Sequence, residues 1–473
     1  MNRTLLIIIL ILSGLNGSTQ NDYLVDSEYL NSTPSILLGI VPGIPSEYSV
    51  DFYKLTYNTV DVAGNPTVAS GSIAVPTNSD CSSVPLGVYC HGTVLRQTDV
   101  PSADNIEGFL TKVIASTGYI IVAPDYLGLG ENEGFHPYVH AESQATATID
   151  LVRAAREFLE TSAISDNGET LITGYSQGGH AAMATLKYAQ DQGLIEELGI
   201  TAGAPCSGPY NISESQANLI LSGDPYSNPG YIVYILMSYQ LAYGNLYENL
   251  SDVIQQPYAD DVAPYFDGMQ DEFDMATVNA ILPNTIEELM VDTVLENFEN
   301  NINHPLWVAL RDNDNYDWTP QFPIRMYYCT GDEQVPFENS IAAEDAMLLN
   351  GAEDVVAVNS LPGANHGDCV LPALTDVFGF FSSVAPPCAV LSTESGGPLE
   401  LDVYPNPTTG LVNITIKESS GYAVVQDMSG RLVHQSNINS SLTTLDLEGL
   451  PSGVYIISLK TESQLYRNRI VVR

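Results

Sequence analysis

The chain has 473 residues, 44% hydrophobic and 15% charged, which is too long for one compact core and too apolar for a disordered polymer. Its 15 basic side chains face 57 acidic ones, a formal net charge of -42, so the surface repels nucleic acid and anionic membranes and polyanion binding is excluded. Such an excess of carboxylates suits a medium whose salt screens self-repulsion.

In chain order, Arg3 precedes an unbroken apolar run from Leu5 to Leu12, followed by the small residues Ser13, Gly14, Gly17 and Ser18. That is the anatomy of a signal peptide over residues 1–19, with cleavage near Gly17 to Gln20, and the run is too short to span a membrane. From Tyr48 to Thr77, alternating segments around Ala63-Gly64-Asn65-Pro66 predict an antiparallel hairpin. Short β-rich runs then alternate with helical stretches. The runs are Val84 to Cys90, Tyr119 to Ala123, Thr170 to Tyr175, Ile200 to Ala204, Ile324 to Cys329 and Val355 to Ser360; Ala141 to Leu159 and Gly178 to Gln190 are amphipathic helices. This alternation predicts an α/β fold, with a mostly parallel sheet covered on both faces. Residues 210–320 break the pattern. They are rich in aromatics and lack strand signals, so they read as an inserted helical cap; within it the apolar stretch Gly230 to Tyr243 fits either an acyl pocket or the core of the cap. Residues 20–388 would thus form one catalytic unit. Ala389 to Leu399, rich in Ser, Gly and Thr, reads as a linker, and residues 400–473 as a small all-β sandwich of short strands separated by turn signals.

Six cysteines in an exported chain permit up to three disulfides. Cys90 and Cys329 sit in strand-like runs and read as core residues; Cys81, Cys206, Cys369 and Cys388 fall in loop-like surroundings, and the pairing is not legible. No Cys/His cluster has zinc spacing, so neither a metal nor another cofactor is expected.

The chemistry centres on Gly174-Tyr175-Ser176-Gln177-Gly178, a nucleophile-elbow pattern preceded by a β run and followed by a helix, as the elbow requires. A serine hydroxyl needs an imidazole to remove its proton. Of seven histidines, His434 lies in the tail, His180 on the elbow helix, His304 in the cap, and His136 and His140 ahead of the elbow. His366, in the glycine-flanked loop Pro362 to Asp368 after the last β run, fits the chain order serine, acid, histidine. Asp332, just beyond the run Ile324 to Cys329, is the expected acid, with Glu333 and Asp354 as rivals. The backbone N–H of Gln177 would be one oxyanion donor, and that of Thr93, in Cys90-His91-Gly92-Thr93, the second. His91 reads as shaping that loop, and Asp125 as bracing the loops around the site, with Tyr126 contacting substrate.

These residues resemble the secretory lipases, the lipase A-like branch of the α/β hydrolases. The resemblance covers about residues 30–388 and rests on Cys-His-Gly-Thr at 90–93, Ala-Pro-Asp-Tyr at 123–126, the elbow at 174–178, Gly-Ala-Pro at 203–205, Thr-Gly-Asp at 330–332 and the His366 loop. It implies an α/β-hydrolase sheet with an inserted cap, the triad Ser176, Asp332 and His366, and hydrolysis of acylglycerols or shorter esters through an acyl-enzyme. The tail is similar to the type IX secretion (Por) sorting domain of Bacteroidetes exoproteins, through Val403-Tyr-Pro-Asn-Pro407, Asp427-Met-Ser-Gly-Arg431, Leu450-Pro-Ser-Gly-Val-Tyr455 and the basic finish Arg467 to Arg473. This implies export through the outer membrane, to the medium or the cell surface, with the type IX machinery as partner. Two other functions remain open: a serine peptidase of the same fold, and a binding protein with a vestigial site. Turnover of aminoacyl anilides would single out the first, and silence toward a fluorophosphonate probe the second.

Overall fold

The computed structural model describes residues 23–41, 43–77, 81–266, 274–387, 399–400, 402–415, 421–427, 432–438, 440, 442–460 and 465–473. The expected signal peptide lies outside the described residues, as does the expected linker except for Leu399.

Nine strands form one sheet: β1 (Leu24–Thr33), β2 (Ser49–Val60), β3 (Pro66–Thr77), β4 (Ser83–Cys90), β5 (Ile120–Pro124), β6 (Ser165–Tyr175), β7 (Ile200–Cys206), β8 (Ile324–Tyr328) and β9 (Val355–Asn359). Their order is β1-β2-β3-β5-β4-β6-β7-β8-β9. β1, β2 and β3 run antiparallel to their neighbours, β3 pairs antiparallel with β5, and β5 through β9 are parallel. β4 and β5 are apolar nearly throughout because helices cover both faces of the sheet. Ile149, Leu151, Ala181 and Leu186, from the helices Ala141–Leu159 and Gln177–Asp191, pack in one core. Val113, Ala373, Val377 and Phe381, from the helices Ile106–Ala115 and His366–Val384, pack in a second. β1 has no counterpart among the predicted elements. It is a partly exposed edge strand with a largely polar sequence, Leu-Val-Asp-Ser-Glu-Tyr-Leu-Asn-Ser-Thr, and is held by its ladder to β2.

Between β7 and β8 the chain forms the cap, whose helices include Pro229–Tyr243, Met275–Ile281, Asp292–Asn300 and Pro305–Asp312. Its core, with Val233, Tyr234, Leu236, Tyr239, Leu289 and Phe298 at the centre, is separate from those on the sheet. The two ends of the insertion are tied together: Asn315 N–H donates to the Tyr210 carbonyl at 2.8 Å, and Ser213 donates through N–H and hydroxyl to Asp314 at 3.0 and 2.5 Å.

The C-terminal residues form two further sheets. One has the order β10 (Leu399–Glu400), β17 (Leu465–Val472), β16 (Gly453–Lys460), β13 (Gly421–Asp427), β14 (Leu432–Ile438); the other has β11 (Asp402–Tyr404), β12 (Leu411–Thr415), β15 (Leu442–Asp446). Val412, Ile414, Ala423, Leu445, Ile457 and Ile470 fill the space between them.

Two cysteine expectations need correction. Cys329 is bonded to Cys369 rather than being a free core thiol, and Cys206 ends β7 as a buried free thiol rather than lying in a loop. Cys90 is a buried free thiol as expected, and Cys81 is disulfide-bonded. Burial pushes both free thiols up to about 12, so neither is a nucleophile at ordinary pH.

Candidate active site

β6 ends at Tyr175, and a helix starts at Gln177. The turn between them puts Ser176 at φ +60°, ψ -121°, a region L-residues rarely occupy, so surrounding structure must hold it there. The Ser176 N–H donates to the Cys206 carbonyl at 3.0 Å, and its carbonyl accepts the His180 N–H at 3.1 Å. The glycines make the approach possible: a Cβ on Gly178 would run into the backbone of Cys90, and one on Gly174 into that of Gly178.

His366 Nδ1 lies 2.7 Å from Asp332 Oδ2. The other oxygen of Asp332 accepts the N–H groups of Gln334 and Val335 at 3.0 and 2.9 Å, which fixes the plane of the carboxylate. Glu333, the neighbouring rival, does something else: its Oε2 accepts the backbone N–H of His366 at 3.1 Å. Asp354 lies before β9 and pairs with Arg325 at 2.6 Å. The loop expected around His366 is shorter than its sequence suggested. Asn365 accepts the Asp368 N–H at 2.8 Å and caps a helix that begins at His366 itself. The Cys329–Cys369 disulfide, with one cysteine three residues before Asp332 and the other three after His366, staples the acid loop to that helix.

Tyr175 joins this pair to the elbow. Its ring lies 5.1 Å from the His366 ring, and its hydroxyl donates to the His366 carbonyl at 2.6 Å. No hydrogen bond between Ser176 and His366 is present among the described residues; such bonds commonly tighten only with substrate in place.

The Cys90 to Thr93 turn lies against the elbow, with Gly92 facing the Tyr175 carbonyl. Thr93 Oγ1 is 2.9 Å from the Tyr138 hydroxyl. Beneath the turn, Asp125 accepts from Ser70 and Ser102 hydroxyls at 2.6 and 2.5 Å and from the Ser102 N–H at 3.0 Å; burial pushes its carboxyl up to about 6. Tyr126, expected against substrate, is instead buried: its hydroxyl donates to the His91 carbonyl at 3.2 Å, and its ring packs between His91 and His136. His91 is likewise buried and has its Nδ1 2.8 Å from the Gly92 carbonyl.

His136, set aside in sequence because it precedes the elbow, holds the side chain of Gln177 at 2.7 Å. No motif marks that contact. Nor does one mark the cavity that opens on Ser176, about 30 Å³, lined by Gln177, Tyr138, Gln216, Tyr231, Ile232 and Ile235 among others. A second, apolar cavity of about 60 Å³ adjoins it within the cap, sharing Ile212, Gln216, Ile220, Ile232 and Ile235 and also lined by Phe298, Leu306 and Leu310. The apolar stretch 230–243 divides: Ile232 and Ile235 face the cavities, while Val233, Tyr234 and Tyr239 are cap core. Among the described residues no three His, Cys, Asp or Glu side chains are grouped to hold a metal ion, and no helix is long and apolar enough to cross a membrane.

Residues 101–366 match the family model for secretory lipases. The chain belongs to the secretory lipase family. Residues 402–473 match the secretion system C-terminal sorting domain, so this secretory lipase is an exported protein, secreted or displayed at the cell surface. Among solved structures it is similar to the rice cell wall degrading esterase LipA of Xanthomonas oryzae, at 29% identity and a TM-score of 0.68 over 77% of this chain and 98% of that one. Candida antarctica lipase A, at 16% identity and a TM-score of 0.56 over 78% of this chain and 84% of that one, shares the fold. No curated protein matches the sequence. Family and fold make the chain a carboxylic ester hydrolase of the α/β-hydrolase class.

Proposed function

We propose that this secretory lipase hydrolyses esters through an acyl-enzyme on Ser176. His366, its Nδ1–H held by Asp332, takes the Ser176 proton on Nε2 as the hydroxyl attacks the ester carbonyl, and returns it to the leaving alcohol. The N–H groups of Gln177 and Thr93 would meet the oxyanion, and a water deprotonated by His366 then frees the acid. The acyl chain would run from Ser176 past Ile232 and Ile235 into the apolar cavity of the cap. The tail directs the enzyme to the type IX secretion machinery. The observation that carries the mechanism is the 2.7 Å Asp332–His366 bond, packed through Tyr175 against a serine in a strained elbow. The test is Ser176→Ala, expected to lower kcat on p-nitrophenyl butyrate by about 10⁴- to 10⁶-fold without loss of fold. Turnover within about tenfold of the parent enzyme would remove Ser176 from the mechanism.

A further inference from the structure

Two buried amide side chains, Gln177 and Gln216, line the Ser176 cavity, and each leaves its side-chain oxygen without a hydrogen-bond donor. Neither amide is free to turn round. His136 Nδ1 lies 2.7 Å from the Leu127 carbonyl, which can only accept, so the imidazole carries its proton there. Burial pushes His136 down to about 3, keeping the ring neutral, and its bare Nε2 therefore takes the Gln177 amide N–H at 2.7 Å. Gln216 Nε2 donates to the Gln334 carbonyl at 3.0 Å. Rotating either amide by half a turn would set two acceptors face to face. Both oxygens are thus held as acceptors, and a buried acceptor left unmet is destabilising.

A fully acylated glycerol has no donor to offer them. A hydroxyl group does. Resting on the Ser176 reading, we propose that the site takes esters carrying a free hydroxyl close to the scissile carbonyl, whose O–H donates to the Gln216 oxygen. The hydroxyl can belong to the acyl chain or to the alcohol, and two substrate pairs separate these sources: p-nitrophenyl β-hydroxybutyrate against p-nitrophenyl butyrate, and glycerol monobutyrate against propyl butyrate.

In the unmodified enzyme one pair is expected to show kcat/KM about 10- to 100-fold higher for the hydroxylated ester, and the responding pair names the side. In Gln216→Met, which keeps the length of the side chain but removes the amide oxygen, that ratio should fall at least about tenfold. Ratios near one for both pairs in the unmodified enzyme would overturn the proposal, with bound water then meeting the two oxygens. So would a ratio that Gln216→Met leaves intact. Ser176→Ala separates this failure from failure of the mechanism beneath it: loss of turnover on all four esters keeps that mechanism, and persistence on any of them overturns it.

Discussion

Replacing Asp332 by Asn tests the acid assignment at a single atom. The oxygen that accepts the Gln334 and Val335 N–H groups would stay an oxygen in the variant, because backbone donors face it. The amide NH2 then points at His366 Nδ1, which in the parent lies 2.7 Å from a carboxylate oxygen. A donor facing Nδ1 forces the imidazole proton onto Nε2, the atom that must accept from Ser176, and the charge that steadies the imidazolium is gone. The expected loss in kcat near neutral pH is about 10⁴-fold, or about 5 kcal/mol of transition-state stabilisation, with little change in KM. The assay is steady-state hydrolysis of p-nitrophenyl butyrate, with a melting curve showing that the variant is folded. Glu333→Gln is the matched control. Its side chain still offers an oxygen to the His366 backbone N–H, so it should cost less than about tenfold. Activity of the Asp332→Asn variant within about tenfold of the parent, or an equal loss in the Glu333→Gln variant, would refute the assignment.

Removal of the Cys329–Cys369 disulfide by paired alanines opens a link across 40 residues, worth up to about 4 kcal/mol in the chain-entropy picture, and should lower both Tm and kcat. A fall in Tm with kcat unchanged would mean that the staple does not position Asp332 and His366. Ile232→Trp should obstruct the passage into the cap; losing burial of about four methylenes, each worth about 0.8 kcal/mol, should lower the octanoate-to-acetate ratio of kcat/KM at least tenfold. An unchanged ratio would place the acyl chain elsewhere. Burial pushes His91, His136 and His180 down to about 4, 3 and 4, below their ordinary 6.5. The unfolded chain therefore binds more protons as pH falls, and this contribution, complete at neutral pH, is lost between about 6.5 and 4. Asp125 and Asp314, raised to about 6 by burial, Glu107, raised to about 7, and Asp150, also raised by burial, oppose it in an overlapping window, while His140, lowered by burial to about 4, adds to the histidine side, and the largest single displacement is that of His136. In about 0.5 M salt, which screens the acidic surface, Tm should drop from pH 7 toward pH 4.5; a flat or rising Tm would contradict this.

The sheet was legible because its central strands are apolar on both sides and punctuated by helices: Ala141–Leu159 matches its expected bounds residue for residue. β1 was not legible, since an edge strand buries little and its polar sequence carries no alternation. Ser176, Asp332 and His366 could be nominated because an elbow, a chain order and strand ends are local signals. The work of Glu333 on a backbone N–H and of His136 on Gln177 could not, because each depends on residues distant in the chain meeting in the fold. Tyr126 misled for a related reason: its place at a strand end suggested access, while its packing between two imidazoles depends on turns from elsewhere. The cysteine pairing likewise follows from where β8 and the last helix of the sheet domain meet.

The knot of hydrogen bonds joining Tyr210 to Asn315 and Ser213 to Asp314 gives the cap a closed stem. Because the two ends of the cap meet at this stem, an insert of different length can be exchanged there at a loop-closure cost that grows only slowly with length. The cap is, in effect, a replaceable cartridge. Under the proposed mechanism, natural variation or a laboratory graft at this stem would change which esters are accepted while the elements presenting Ser176, Asp332 and His366 stay as they are, so substrate range and reaction chemistry would evolve on separate stretches of the same gene.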